Sequence, residues 1–157
     1  MPITTSLSNA FKVALLQGQH DFINDTCRVA LIKEGVTNTY NASTLAYSTL
    51  IANSDQPTGS GYSGTFDTEA TGAPAAIATG FPKLAPDGVT AIVDFDDAVF
   101  TNVTVQADGC MLYNPNADSA ADVIAVFDFG GTVSATSGDF TIQFPAPGAT
   151  TSILRLA

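Results

Sequence analysis

The chain has one histidine, His20, two cysteines, Cys27 and Cys110, and a run of carboxylates at Asp94, Asp96 and Asp97. On an extended strand Asp94 and Asp96 point to one face. Two carboxylates so placed can hold a hard cation such as calcium, or act as the acid and base of a glycosidase. The spaced oxygen ligands and central glycine of a calcium loop are missing, and aspartate favours turns for backbone reasons alone. The cluster therefore reads first as a solvated strand end, with a calcium site at Asp94, Asp96 and Asp97 as the alternative. Asp108, Asp118, Asp122 and Asp139 fall beside turn signals and read the same way.

His20 is the one base available to a Ser-His-Asp or Cys-His arrangement, and no Gly-x-Ser-x-Gly nucleophile motif accompanies it. It falls between a helix end and a strand, the place of a turn histidine or a helix C-terminal cation. Two cysteines exclude a disulfide framework. A single bridge stays open beside the plainer reading of two buried thiols. The run from Gly59 to Gly64 has a Gly-x-Gly cadence, but no buried strand precedes it and no helix follows, so it reads as a flexible loop. There is no tryptophan to stack on a sugar. Phe95, Phe127, Phe129, Phe140 and Phe144 take alternating strand positions suited to a core. Tyr40, Tyr47 and Tyr62 are left as the aromatic surface candidates. No catalytic centre emerges, so neither an enzyme nor a cofactor is expected.

The elements that would position these residues are mostly strands. Over 7–17 a helical stripe of Leu7, Phe11, Ala14 and Leu15 follows a Ser6 or Ser8 cap and stops at Gly18. Over 26–33, Cys27, Val29 and Leu31 alternate with Arg28, Ala30 and Ile32, which predicts a strand with one face fully buried. Residues 44–52 suit a short helix or a strand, and 53–74 read as a long flexible loop. Further strands are predicted over 75–81, 89–95, 99–107, 109–113, 123–129, 140–144 and 152–156. The punctuation between them includes Asn114-Pro115-Asn116, Gly130-Gly131 and Ser137-Gly138-Asp139. This spacing predicts an all-β fold: a single domain over 1–157, an antiparallel β-sandwich or jelly-roll-like, with one short N-terminal helix.

Composition narrows the partners. Charged residues are 13% of the 157, and fifteen acidic against five basic residues give a net charge of −10. Counterion release cannot then drive binding to a phosphate backbone, and anionic membrane surfaces repel the chain. Neither nucleic acid nor membrane is expected as a partner. The start of the chain has no basic residue before its first apolar stretch, which predicts no export signal.

Two stretches carry a resemblance. One runs from Asn9-Ala10-Phe11-Lys12-Val13-Ala14-Leu15-Leu16 through His20-Asp21-Phe22 into 26–32. The other is Ala91-Ile92-Val93-Asp94-Phe95-Asp96-Asp97 with the C-terminal Phe144-Pro145-Ala146-Pro147-Gly148-Ala149 and Ile153-Leu154-Arg155-Leu156-Ala157. The chain resembles virion structural proteins of tailed bacteriophages, of the kind that decorate or cement capsids. The resemblance implies a subunit repeated on the particle as a homo-oligomer, with a trimer favoured. It also implies contact with the major capsid protein or another virion protein, assembly in the bacterial host cytoplasm, and no catalytic residues. Within that frame residues 1–17 form a docking arm, with Leu7, Phe11 and Leu15 at the interface. Three alternatives stand: a tail- or fibre-associated adaptor or receptor-binding protein presenting the 53–74 loop and its tyrosines, a carbohydrate-binding module, and a small hydrolase using Asp94 and Asp96.

Overall fold

Two long β-rich stretches near the C-terminal end form the hairpin on which the rest is laid. The computed structural model describes residues 2–62, 73–75, 78 and 80–157, with the backbone alone for 73–75. In chain order the elements are β1 (Ser6–Leu7), α1 (Asn9–Leu16), β2 (Cys27–Lys33), α2 (Tyr47–Ala52) and β3 (Ala73–Ala75). There follow β4 (Lys83–Leu84), β5 (Ala91–Val93), β6 (Ala98–Tyr113), β7 (Val123–Ile142) and β8 (Leu154–Leu156). One sheet has the order β1-β7-β6-β2-β3 and a second the order β4-β5-β8. All neighbouring strands are antiparallel, which gives a mostly β, sandwich-like fold as the strand spacing predicts. A second short helix, α2, takes the segment that suited either helix or strand.

Alternation along β2 sorts its side chains into two cores. Cys27, Val29 and Leu31 join β6 residues Cys110 and Leu112, Ile124 of β7, and Val93 and Leu154 of the smaller sheet. Ala30 and Ile32 point the other way, with Met111, Tyr113, Val123 and Val126, and are covered by Ile3, Val36, Tyr40, Tyr47 and Leu50. The expected single buried face of this strand is thus two buried faces, because 36–56 folds over the second one. That cover ends partway along the hairpin. Towards Ala98 the strand β6 reverts to one buried and one exposed face, with Val103 and Val105 inside and Thr104 and Gln106 in solvent.

Each pair of predicted strands on the hairpin is one continuous strand. The break expected near Asp108 and those expected at Gly130-Gly131 and at 137–139 are bulges. Gly109 faces Asp128 while Ala107 faces Val133, so residues 129–132 bow out of the ladder, with Gly130 at φ 76°. Val105 faces Ala135 and Val103 faces Gly138, which places the extra residue beside Ser137 at φ 48°. Hairpin turns and bulges of this kind draw on the same residues because both place a residue at positive φ. Side chains supply the missing bonds: Ser137 N–H donates to Thr104 Oγ1 at 3.0 Å, and Asn102 N–H donates to Asp139 Oδ1 at 3.0 Å.

The run at Gly59 is also fixed in place. Thr104 N–H donates to the Ser60 carbonyl at 2.8 Å, so the segment lies directly on β6. A Cβ at Gly59 would overlap the Thr104 carbonyl oxygen, and one at Gly61, where φ is 79°, would overlap that of Asn102. The expected flexible loop over 53–74 is therefore pinned through Tyr62; residues 63–72 lie outside the described residues, as do 76, 77 and 79 of the strand expected over 75–81.

This close approach makes a stability prediction. Gly59→Ala and Gly61→Ala should each cost about 1–3 kcal/mol, the usual range for forcing extra atoms into a packed site. Gly131→Ala, with nothing within 4 Å of its Cβ, should stay within about 0.5 kcal/mol of wild type. Urea denaturation of the three variants checks this; equal midpoints would show that the backbone contact carries no weight.

Candidate functional site

Helix α1 follows β1 after a single residue. Ser8 is its N-cap, without a side-chain cap bond, and its hydroxyl is buried with no hydrogen-bond partner among the described residues. The helix ends as expected at Gly18, φ 72°, where Gly18 N–H bonds the Leu15 carbonyl and Gln19 N–H that of Ala14. Phe11 is turned inward and 2% exposed, with its ring centroid 4.9 Å from that of His20 and 6.2 Å from that of Phe22. The expected interface residues Leu7, Phe11 and Leu15 all border one groove, with Phe11 packed deepest, into the core of its own subunit. Leu7 and Leu15 are half-buried on the groove's wall, and the helix presents Val13 and Leu16 to solvent.

That groove holds about 400 Å³ and runs between α1 and the smaller sheet. Leu7, Leu15, Leu16 and Phe22 form one side; Pro82, Ile92, Val93, Leu154 and Leu156 form the other. Leu16 is 89% exposed and Leu156 64%, and neighbouring Leu84 is exposed as well. Its two charged lining residues are Lys12 and Arg155, both basic, in a chain with five basic residues in all. A contiguous apolar groove with a polar rim is the usual form of an interaction site.

The groups with chemistry to offer are held elsewhere. His20 Nε2 lies 3.2 Å from the Ala121 carbonyl, which can only accept, so Nε2 carries the proton and Nδ1 accepts from Asn114 Nδ2 at 3.3 Å. Burial lowers the pKa of this imidazole, against the opposing pull of the Ala121 carbonyl and Asp25. His20 is a neutral staple between α1 and the β6–β7 turn, not a helix-terminal cation. Cys27 and Cys110 are free and buried, and burial pushes the Cys27 thiol up to about 12 and also raises Cys110. Asp94 is half-buried, while Asp96 and Asp97 are exposed, and Asp97 Oδ1 accepts the Phe144 N–H at 2.9 Å. Among the described residues no three His, Cys, Asp or Glu stand close enough together to hold a metal ion.

The three tyrosines expected at the surface are buried. Tyr40 donates to Asp55 Oδ2 at 2.8 Å, a carboxylate that also takes Asn38 Nδ2 at 2.8 Å and pairs with Lys33 Nζ at 3.1 Å. Burial alone would raise Asp55, but these partners hold it below its ordinary value. Tyr47 stacks on Tyr113 at 4.3 Å, and the Tyr62 hydroxyl accepts Leu31 N–H at 3.1 Å. A receptor-binding or sugar-binding surface built on these rings therefore loses its residues. The hollow of about 430 Å³ beside Thr39, Asn41, Ser43, Leu45 and Thr49 has no aromatic lining. No helix among the described residues is long and apolar enough to cross a membrane.

Asp122 departs from the turn reading. It is buried and accepts Tyr47 N–H at 2.7 Å, and burial pushes its carboxyl up to about 6 despite that bond. The folded state thus binds this proton more tightly than the unfolded chain, so stability falls as pH rises from about 4 to about 6 and is level above. Asp122→Asn keeps the acceptor and removes the charge. The variant should match wild type near pH 4 and exceed it by roughly 2–3 kcal/mol at pH 7. Denaturant titrations across that range test it, and a difference that does not change with pH would contradict it.

Comparison with protein-family models, with curated proteins and with solved structures found no match, which leaves groove, cores and charge to carry the functional reading.

Proposed function

We propose that the chain is a non-enzymatic structural protein of a tailed-phage virion, a decoration protein that binds the major capsid protein and stabilises the head. The observation that carries this reading is the contiguous apolar groove beside α1, bordered by exposed Leu16 and Leu156, on a chain whose net charge is −10. Apolar surface left open in that way is suited to burial against another protein. His20 and Asp55 are held in structural hydrogen bonds and the two cysteines are buried, which supports the same reading. Repetition by capsid symmetry multiplies a modest interface into particle stability, so each contact can be small. An acidic surface keeps the subunit clear of packaged DNA.

Mass spectrometry of virions from a phage encoding this chain should find a copy number that scales with the capsomers. Particles made without the chain should lose DNA at a lower temperature, as dye uptake on heating would report. A handful of copies per virion, with heads equally heat-stable, would move the protein to the tail and end the decoration reading.

A further inference from the structure

The groove's lining states what it takes. Its walls are aliphatic and aromatic, and its two charges, Lys12 and Arg155, are basic in a chain whose net charge is −10. They come from opposite ends of the sequence and meet at one site. Both are exposed, and the hydrogen bond found for Lys12 is a long one, 3.3 Å to Asn9 Oδ1 within its own helix. One wall contains β8, which pairs with β5 on one side and has no strand on its other side among the described residues. An extended segment laid beside such a strand takes up its free main-chain groups while its side chains enter the neighbouring groove.

From this complementarity we infer that the groove between α1 and β8 captures an extended apolar segment of the partner protein that carries carboxylates, seated against Lys12 and Arg155. The inference rests on the virion reading and specifies its contact. A twofold pair of this chain through the same groove brings Lys12 and Arg155 towards their own copies, and like charges oppose it. An anionic bilayer is repelled by the chain as a whole.

The test uses empty particles purified from phage lacking the chain, with added wild-type protein, Lys12→Glu/Arg155→Glu, Leu16→Glu and Leu156→Glu. All four positions are exposed, so the variants should keep the wild-type melting temperature. Wild type should bind, the double charge variant should lose about tenfold or more in apparent affinity at low salt, and the gap should narrow at high salt. Each leucine variant should also weaken binding. A photo-crosslinker placed at Leu156 should join a particle-protein segment of apolar residues interspersed with Asp or Glu. Wild-type binding with unaffected variants, or crosslinks only to a second copy of this chain or to lipid, would overturn the groove assignment and leave decoration standing. Failure of wild type to bind these particles at all would instead remove the decoration reading on which the groove assignment rests.

Discussion

The pairing of β6 with β7 is the constraint on which the molecule depends. Near the turn over 114–122 the two strands carry apolar side chains on both faces, with Cys110, Leu112 and Ile124 on one and Met111, Tyr113, Val123 and Val126 on the other. A two-faced apolar ribbon cannot stand in water. At about 1.5–3 kcal/mol per fully buried large side chain, covering both faces outweighs most single interactions in the protein. The smaller sheet and α1 cover one face, and residues 36–56 cover the other. A one-residue slip would exchange the two sets. Gly109 resists such a slip, because a Cβ there would run into the Phe127 carbonyl and the Ile3 side chain.

Covering the second face brings polar groups into the interior, and their bonds define the cover. Asp55 gathers Asn38, Tyr40 and Lys33, while Gln56 Nε2 bridges the hydroxyls of Tyr47 and Tyr62 at 2.9 and 3.2 Å. A buried hydroxyl without a partner costs about 1–3 kcal/mol, so a fold that places these rings inside must also place their acceptors and donors. Tyr62 reaches across to Leu31 of β2, which fixes the Gly59-Ser60-Gly61 segment against β6. The glycines there allow two backbones to touch; they do not confer looseness.

The sequence made some of this legible and hid the rest for physical reasons. Two-residue alternation marked β2, a helical stripe with Gly18 behind it marked α1, and turn residues marked the strand-rich second half. The same turn residues misled at Gly130-Gly131 and at 137–139, since positive φ is common to turns and bulges and only the partner strand tells them apart. Tyr40, Tyr47 and Tyr62 sat in Ser- and Thr-rich text that reads as surface, yet their burial depends on Asn38, Asp55 and Gln56, whose role needs three dimensions to appear. Phe11 shared a stripe with Leu7 and Leu15, and nothing in the spacing separates the residue that enters the core from those at its margin. The groove was the least legible feature, because its walls come from residues near 7–16, 91–93 and 154–156, which meet only after the sheets have formed.

That assembly also bears on how firmly the groove is held. Beneath it a row of aromatic rings ties α1 to the larger sheet: Phe11 to Phe22 at 6.2 Å, Phe22 to Phe95 at 6.3 Å, Phe95 to Phe144 at 5.6 Å and Phe144 to Phe127 at 6.4 Å. Such ring pairs prefer particular angles and add to the burial energy, so α1 is held in orientation as well as in place. His20 extends the hold to the β6–β7 turn through Ala121 and Asn114. The α1 wall of the groove is therefore braced from behind. Association costs rise with each segment that must be ordered on binding, and a braced groove avoids that share. The walls of the groove thus belong to the same packing that covers one face of the hairpin, so the groove's shape and the core are set together.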